Sequence, residues 1–294
     1  MAKEKDKDIN ALVDLKESYI DDSEVELLDG FDSIENAIYN AVNKRILSMN
    51  QKDGKLIFDD ENVLAVNQIS AIVLAAIQAS NYPKNVKGYL RNFDQVKQYN
   101  ARIQGKANGI GFAELEELIS PMQQQMVAKV MEDLTGQGID VEFIRPLTEG
   151  IYRNLVSGST IADMQKSLTE FIKSDEQRLG QFKKYVSRMS RDAMLQFDGQ
   201  INARIAAEYG LDAYIYVGTI IRDSRPQCIQ WLGKQILTKA ELPQLIAGAY
   251  NYGSGMIPGT TADNFAVYRG GYNCRHTAVP IKLTPSVRKQ YGLD

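Results

Sequence analysis

The sequence predicts a mostly α-helical protein with a small α+β module towards its carboxyl end. Apolar residues recur every three or four positions through most of the first 210 residues, and beyond Gly210 the pattern changes to aromatic and β-branched residues. With 44% hydrophobic and 24% charged residues, the composition is that of a globular chain. The formal net charge of -3 excludes the large positive excess of a dedicated nucleic-acid-binding protein.

The first region that we expect covers residues 1–105 and begins with a charged arm. Met1–Asp8 is a run of Lys, Asp and Glu with no apolar segment behind it. Such a run is unlike a signal peptide and predicts a mobile arm, or one that a partner orders. Two cysteines in a chain of 294 residues are too few for a secreted disulfide framework, so we expect synthesis in a reducing cytoplasm.

Amphipathic helices make up the rest of this first region. Asp32 or Ser33 is expected to cap the first of them, and a glycine-containing break at Gln51–Asp60 precedes the second, Val63–Ala79. The most apolar stretch, Ile69–Ala79, falls short of the roughly 20 residues that cross a bilayer. We expect a buried helix there and no membrane partner.

The second region, residues 106–210, follows the glycine-dense segment Gly105–Gly111. The glycine spacing differs from a dinucleotide-binding fingerprint, so the segment predicts a turn between helices and a boundary between regions. Ser159 and Thr160 are expected to cap a later helix. The longest helix is expected at Asp175–Tyr209, where apolar residues form one stripe: Leu179, Phe182, Val186, Met189, Ala193, Phe197, Ile201 and Ile205.

The third region, residues 211–294, is expected to be the compact α+β module. Ala213–Ile221 is rich in aromatic and β-branched residues and predicts a strand, and His276–Leu283 predicts a second one. Between them we expect a helix at Lys239–Ala249 and a loop rich in Gly, Pro and Thr at Asn251–Asn264.

Two arginine-bearing segments of the module carry its chemical signal, and we expect them to form one structural motif. Arginine offers a planar set of donors that suits carboxylates and carbonyl groups, while an Asp-Ser pair after a strand can satisfy the backbone donors of a turn. The residues are Arg222, Asp223, Ser224 and Arg225 in the first segment, and Asn273, Cys274, Arg275 and His276 in the second.

These segments, together with the long helix, resemble a known family. The pattern is Tyr185-Val-Ser-Arg-Met-Ser-Arg, then Asn202 before Ala-Arg, a strand, Arg-Asp-Ser-Arg-x-x-Cys, Gly-Lys, and Asn-Cys-Arg-His. Residues 141–280 thereby resemble the phage head morphogenesis family named for protein F of phage Mu. The resemblance implies a minor structural head protein, located in the virion in few copies, that associates with the portal and other virion proteins and helps to handle packaged DNA.

The chain departs from that family's pattern at two positions. Members commonly have histidine where this chain has Cys228, and cysteine where it has His276. Imidazole and thiolate can replace each other as metal ligands or in one packed polar cluster. The exchange therefore predicts that Cys228 and His276 lie close together, with Cys274 nearby.

Three interpretations of the Cys228, Cys274 and His276 cluster remain open from the sequence. The side chains can simply pack under the loop, since free cysteine is commonly buried, and no cofactor is then needed. They can instead bind zinc, with Asp223 or water as the fourth ligand, although no Cys-x-x-Cys pair is present. A disulfide between the cysteines is the third possibility, which a reducing compartment disfavours.

Catalysis has weaker support in the sequence. Cys228, His276 and Asp223 can be assigned as nucleophile, base and orienting group, with Arg225 or Arg275 as an oxyanion partner. No nucleophile elbow or cysteine-protease signature surrounds Cys228. We expect a non-enzymatic protein, and the alternative is a zinc- or cysteine-dependent enzyme delivered with the genome.

A basic face on the long helix suggests a contact surface. Lys184, Arg188 and Arg191 follow one another at spacings of four and three, which places them on one side. Such a face is often just solvated, but it can contact an acidic portal surface or bind phosphates without sequence preference. We expect protein contact rather than DNA contact, and a non-specific DNA-binding packaging module is the alternative.

Overall fold

A computed structural model describes residues 2–251, 255–272 and 274–293, and it confirms a mostly α-helical protein with a small α+β part. The chain divides into two compact units. Unit 1 comprises Met1–Ser23, Arg91–Val127 and Arg191–Asp294, and unit 2 comprises Glu24–Leu90 and Ala128–Ser190. The region boundaries expected after residues 105 and 210 both fall inside unit 1.

The described residues form fourteen α-helices, one π-helical turn and five short strands. In chain order they are α1 (Ala2–Leu27), α2 (Phe31–Leu47), β1 (Gln51–Lys52), β2 (Lys55–Leu56), α3 (Asp60–Asn67), α4 (Ile69–Ala79), α5 (Tyr82–Asn108), α6 (Phe112–Thr135), α7 (Gln137–Ile139), the π-helical turn (Asp140–Ile144), α8 (Arg145–Val156), α9 (Ile161–Ile172), α10 (Gln181–Glu208), β3 (Ala213–Val217), α11 (Pro226–Lys234), β4 (Ile236–Thr238), α12 (Leu242–Asn251), α13 (Phe265–Tyr268), β5 (Thr277–Ile281) and α14 (Pro285–Gln290).

Unit 1 is built on a three-stranded antiparallel sheet with the order β4-β3-β5. All five residues of the central strand β3 are buried, because both faces of the sheet are covered. Alternate residues of β3 face opposite sides. On one side the apolar residues of the sheet pack against α1 and α5 in a single cluster: Ile9, Val13, Ile103, Ala213, Ile215, Val217, Ile236, Val279 and Ile281.

The opposite side of the sheet carries aromatic residues. Tyr216 meets Trp231 edge to face at 5.5 Å between ring centroids, and Trp231 in turn meets Phe265 at 5.3 Å. Helix α10 approaches this layer closely, because a Cβ atom at Gly199 would lie 2.5 Å from the carbonyl oxygen of Ala266. A side chain at that position would separate α10 from α13.

Unit 2 has an aromatic core. Phe182 lies 5.1 Å from Phe31, 5.1 Å from Tyr82 and 4.9 Å from Phe143, measured between ring centroids. These rings come from four different elements, α2, α5, the π-helical turn and α10, so burying them joins segments that are far apart in the sequence. The buried area of such rings is the main stabilising contribution of this core.

The structure corrects several expectations about the amino-terminal half. Residues 2–8 of the expected charged arm belong to helix α1, which begins at Ala2. The expected cap at Asp32 or Ser33 is wrong, because α2 begins at Phe31 after Gly30, which provides no side-chain cap. The helix expected at Val63–Ala79 is two helices, α3 and α4.

Both glycine-containing segments that the sequence predicted as breaks between helices contain turns. The break at Gln51–Asp60 contains a β-hairpin whose turn residues, Asp53 and Gly54, both have positive φ, the signature of an Asp-Gly hairpin turn. The turn expected at Gly105–Gly111 is shorter than predicted, because α5 continues to Asn108; the chain turns between α5 and α6 with Gly109 at φ 72°. The predicted cap of α9 is confirmed at Thr160, whose hydroxyl accepts from the Asp163 amide at 3.1 Å.

The module also differs from its expected outline. Strand β3 ends at Val217 rather than Ile221, because Gly218 takes φ 138° and turns the chain away. The second expected strand shortens to Thr277–Ile281, and the expected helix Lys239–Ala249 is α12. Helix α11 and strand β4 were not expected. The long helix α10 is confirmed with shorter ends, so Leu179 lies outside it and is exposed.

Asp60–Ala79 is long and apolar enough to cross a membrane by length and composition, with a mean hydropathy of 1.5. In the structure this stretch is interrupted at Gln68, and Ile69, Val73 and Ile77 of α4 are buried. A core helix of a globular protein passes the same test. The stretch therefore carries no argument for a membrane.

Candidate functional site

The pairing of β3 with β5 brings the two arginine-bearing segments together. Val217, the last residue of β3, is opposite Thr277, the first residue of β5, so the chain leaving β3 lies beside the chain entering β5. The approach is close at this point, since a Cβ atom at Gly218 would lie 3.0 Å from the Cα atom of His276. Antiparallel pairing thus positions residues that are more than fifty positions apart in the sequence.

Helix α11 supplies the remaining side chains of the site. Pro226 starts the helix at a position where proline is favoured, because the first turn has no intrahelical acceptor for its backbone N–H groups. Two turns then present Cys228 and Trp231 to the interior, and each is 1% exposed. This helix was not expected from the sequence.

Cys228, Cys274 and His276 form the predicted cluster. The two Sγ atoms are 3.9 Å apart, and His276 Nδ1 lies 3.5 Å from Cys274 Sγ. One ligand atom from each residue lies within 4.8 Å of the others, and all three residues are buried. The proximity that the cysteine-histidine exchange predicted is confirmed.

Tyr216 completes this cluster, and the sequence analysis did not single it out. Its hydroxyl oxygen lies 3.6 Å from Cys228 Sγ and 3.5 Å from Cys274 Sγ. Its ring stacks on the His276 ring, with 5.5 Å between centroids and 22° between planes. The alternation of β3 was the available signal, because it turns Tyr214 and Tyr216 towards the same face of the sheet.

The cluster is packed so tightly that one neighbouring position must be glycine. A Cβ atom at Gly270 would lie 2.1 Å from Cys228 Sγ and 3.0 Å from Cys274 Sγ. The backbone carbonyl of Gly270 also accepts a hydrogen bond from the Gln227 side chain at 3.3 Å. The loop before β5 therefore closes directly over the sulfur atoms.

The two thiols have opposite acidities. A hydrogen bond with Cys274 and burial both raise the pKa of Cys228. The same hydrogen bond lowers the pKa of Cys274 well below its usual value, and although burial opposes this, His276 and Arg269 lower the pKa further. The contact between the two sulfurs therefore favours the thiolate form at Cys274 over the thiolate form at Cys228.

This arrangement does not support the catalytic assignment. A nucleophile needs a lowered pKa, whereas the pKa of Cys228 is raised. Asp223, the expected orienting group and possible zinc ligand, is exposed and is not part of the cluster. Cys228 and His276 are almost completely buried, so a substrate has no direct approach to them.

The other residues of the predicted motif hold the loops in place. Ser224 Oγ accepts from the Ile221 amide at 2.9 Å, and Arg225 donates to the Tyr272 carbonyl at 2.7 Å. Arg275 forms an ion pair with Asp21 of α1 at 3.1 Å. Arg222 is exposed, and the predicted motif residue Asn273 lies outside the described residues.

A buried ionic triad lies beside the cluster, and the sequence analysis missed it. Asp198 of α10 pairs with Lys16 of α1 and, at 3.0 Å, with Arg269, and all three side chains are at most 2% exposed. Burial raises the pKa of Asp198, but the two cations outweigh burial and leave that pKa below its usual value. Arg269 also donates to the carbonyl of His276 at 2.8 Å, which joins the triad to the cluster.

A signal for this triad existed in the sequence. Buried residues of α1 recur at spacings of four and three, and Lys16 occupies one of these core positions: Ile9, Val13, Lys16, Ile20, Ser23 and Leu27. A lysine in a core stripe needs a buried acid as a partner. The stripe does not indicate which acid that is.

The predicted basic face is largely neutralised by neighbouring acids. In unit 1, Arg191 pairs with Asp21. In unit 2, Arg188 pairs with Glu142 at 3.0 Å, while Lys184 is exposed and has no ion pair among the described residues. Cations that already have carboxylate partners attract phosphates less. This weakens the DNA-binding interpretation of the face.

Comparisons of this chain with protein-family models, with curated proteins and with solved structures found no match. The likeness to the phage head family thus depends on the residues and spacings described above.

Proposed function

We propose that this chain is a minor structural protein of a tailed-phage head, which acts at the portal and supports head assembly and DNA packaging or ejection. One observation carries the proposal. The two segments on which the family resemblance depends meet around a single buried cluster formed by Cys228, Cys274 and His276. If the likeness were accidental, nothing would require segments about fifty residues apart to meet.

The interactions around the cluster support a structural role. Arg225 fastens the loop that carries Tyr272, and Arg269 fastens the residue before β5 to Asp198. Hydrogen bonds to charged groups in a buried setting are strong and specific in geometry. They suit a module that must keep one shape while neighbouring proteins bind to it.

Burial and acidity favour this role over catalysis. Catalytic thiols are partly exposed and have a lowered pKa. Cys274 has the lowered pKa but is 5% exposed, and Cys228 is 1% exposed with a raised pKa. Neither thiol combines the two properties, so a packed structural cluster fits better than an enzyme active site.

The decisive experiment is to locate the chain in purified, DNA-filled particles of the phage or prophage that encodes it. Mass spectrometry of such particles should detect the chain in few copies relative to the major head protein. Cryo-electron microscopy of the portal vertex, comparing wild-type particles with particles from a gene deletion, should show the missing density next to the portal.

Complementation provides the control. The wild-type gene supplied in trans should restore both the density and the yield of filled heads. If the chain is abundant in the lysate but absent from purified particles, the proposal is wrong. Recovery in unfilled, portal-free shells at the same level would also contradict a portal location.

A further inference from the structure

We propose that Cys228, Cys274, His276 and Tyr216 together bind one zinc ion, with the hydroxyl oxygen of Tyr216 as the fourth ligand. This metal site does not depend on the proposed role in the phage head. It differs from the sequence-based zinc hypothesis, in which Asp223 or water was the fourth ligand.

Four of the six separations between donor atoms match those of a tetrahedral ion, and Cys228 Sγ lies within 4.8 Å of the His276 ligand nitrogen. With Zn–S bonds of about 2.3 Å and Zn–N or Zn–O bonds of about 2.0 Å, tetrahedral geometry places two sulfurs about 3.8 Å apart and each sulfur about 3.5 Å from a nitrogen or oxygen ligand. The two Sγ atoms are 3.9 Å apart, and Cys274 Sγ is 3.5 Å from His276 Nδ1.

Tyr216 takes the remaining corner of the same tetrahedron. Its oxygen lies 3.6 Å and 3.5 Å from the two sulfurs, about the edge length that a fourth ligand requires. Asp223 cannot take this place in the observed conformation, because it is exposed in the loop after β3. Tyr216 is 1% exposed and stands on β3, the central strand of the sheet, whose five residues are all buried.

Hydrogen bonding alone does not account for the buried imidazole. His276 is 3% exposed, and its Nε2 atom has no hydrogen-bond partner among the described residues. Leaving a buried polar nitrogen unsatisfied costs free energy, on the order of 1–3 kcal/mol. A metal bond to Nδ1 would give the ring one strong interaction in the interior, while Nε2 stays unpaired with or without the metal.

The surrounding charges also suit the ion. Two thiolates neutralise Zn²⁺, and an ionised Tyr216 would leave one negative charge in the site. The adjacent triad of Lys16, Asp198 and Arg269 carries one positive charge and is linked to the site through the carbonyl of His276. This positive charge compensates part of the negative charge of the thiolate and tyrosine ligands.

The test measures metal content in the full chain, purified under reducing conditions and dialysed against zinc-containing buffer and then against metal-free buffer. Elemental mass spectrometry should find one zinc per wild-type chain and none in a Cys228→Ser, Cys274→Ser double variant. Cobalt(II) in place of zinc should give the intense visible absorption of a tetrahedral site with thiolate ligands.

The Tyr216→Phe variant tests the fourth ligand, and Tyr214→Phe is its matched control. Both changes remove one buried tyrosine hydroxyl from the same face of β3 and conserve volume. Tyr216→Phe should weaken zinc affinity by at least about 10- to 100-fold, the loss typical of weaker outer-shell changes, and should alter the cobalt spectrum. Tyr214→Phe should do neither.

Two results would overturn the proposal. A folded wild-type chain that retains no zinc and gives no tetrahedral cobalt spectrum would show that the cluster is only packed. Full zinc content with equal affinity in Tyr216→Phe and Tyr214→Phe would remove Tyr216 as a ligand. If the cysteine variants fail to fold, the two tyrosine variants still decide the question.

Discussion

The interiors of the two units differ in kind. Twelve of the fifteen buried polar or charged residues identified in the described part of the chain lie in unit 1, and the three in unit 2 are Glu35, Asn62 and Ser190. Unit 2 is instead centred on stacked and tilted aromatic rings around Phe182. An apolar core accepts side chains of similar volume, whereas a buried polar core accepts only side chains that satisfy each other.

The largest effect that we expect comes from Asp198→Asn in unit 1. The change keeps the volume but removes the charge that compensates Lys16 and Arg269, both of which are buried. Breaking a buried ion pair in this way costs about 3–5 kcal/mol of unfolding free energy. Trp231, the one tryptophan of the chain, lies in unit 1, so its fluorescence during denaturation by urea reports on this unit.

Two control variants test whether the loss of stability is specific to a buried charge. Ile38→Leu conserves volume in the apolar core of unit 2 and should cost less than about 1.5 kcal/mol by far-ultraviolet circular dichroism. Glu208→Gln removes the exposed ion pair with Arg204 and should cost at most about 1 kcal/mol. If Asp198→Asn lowers the unfolding free energy no more than Ile38→Leu does, the two interiors do not differ in their tolerance of substitution.

The next largest effect concerns the packing over the sulfur cluster. Gly270→Ala would place a Cβ atom 2.1 Å from Cys228 Sγ, so the loop before β5 would have to move. Overpacking of this kind costs about 1–3 kcal/mol, again measured by urea denaturation.

Gly233→Ala is the matched control for this change. Gly233 lies in the last turn of α11, and a Cβ atom there would meet no atom within 4 Å. Its stability should equal or slightly exceed that of the wild type, because alanine favours helix over glycine. Equal losses for the two variants would mean that the glycine at 270 is not required by the cluster.

The last effect that we expect is a dependence on pH. Desolvation raises the pKa of Glu17 from 4.5 to about 8, despite the opposing charges of Lys16 and Arg269. The folded state therefore holds this proton more tightly than the unfolded state does. The stabilisation is present below about pH 4.5 and is lost as the pH rises through about 8.

Glu17→Gln removes this proton equilibrium and should flatten the fall of the melting temperature between about pH 5 and about pH 9. Asp198, whose pKa is lowered, contributes in the opposite sense at acid pH and is unchanged in the variant. Parallel melting curves for wild type and variant across this range would show that Glu17 titrates normally.

The parts of the fold that follow from periodicity were predicted well. The stripe along α10 correctly identified buried residues from Phe182 to Ile205, apart from the half-buried Met189, and Thr160 was recognised as a cap. A period of three or four residues depends only on one helix and its burial, so it can be seen in the sequence. The exact ends of helices and strands cannot be seen in this way, because they depend on the local backbone and on neighbouring segments. Strand β3, for example, ends before Gly218, which has positive φ.

The candidate site was predicted only in part. Cysteine and histidine are exchanged between two positions of the family pattern, and this exchange correctly indicated that Cys228, Cys274 and His276 meet. The exchange could not indicate Tyr216 or the Lys16–Asp198–Arg269 triad. These four residues lie in four separate segments of the chain, and only the tertiary fold brings them together. Asp223 was named from its type and spacing, but the turn after Gly218 leaves it exposed.

The sheet of unit 1 has a consequence for synthesis on the ribosome. Ile9 and Val13 are translated roughly 270 residues before their packing partners Val279 and Ile281. Unit 2 is complete once Ser190 has emerged. Since domains generally fold as units during translation, unit 2 can reach its native state first. The cluster that contains Ile9 and Val13 can be completed only after β5 leaves the exit tunnel.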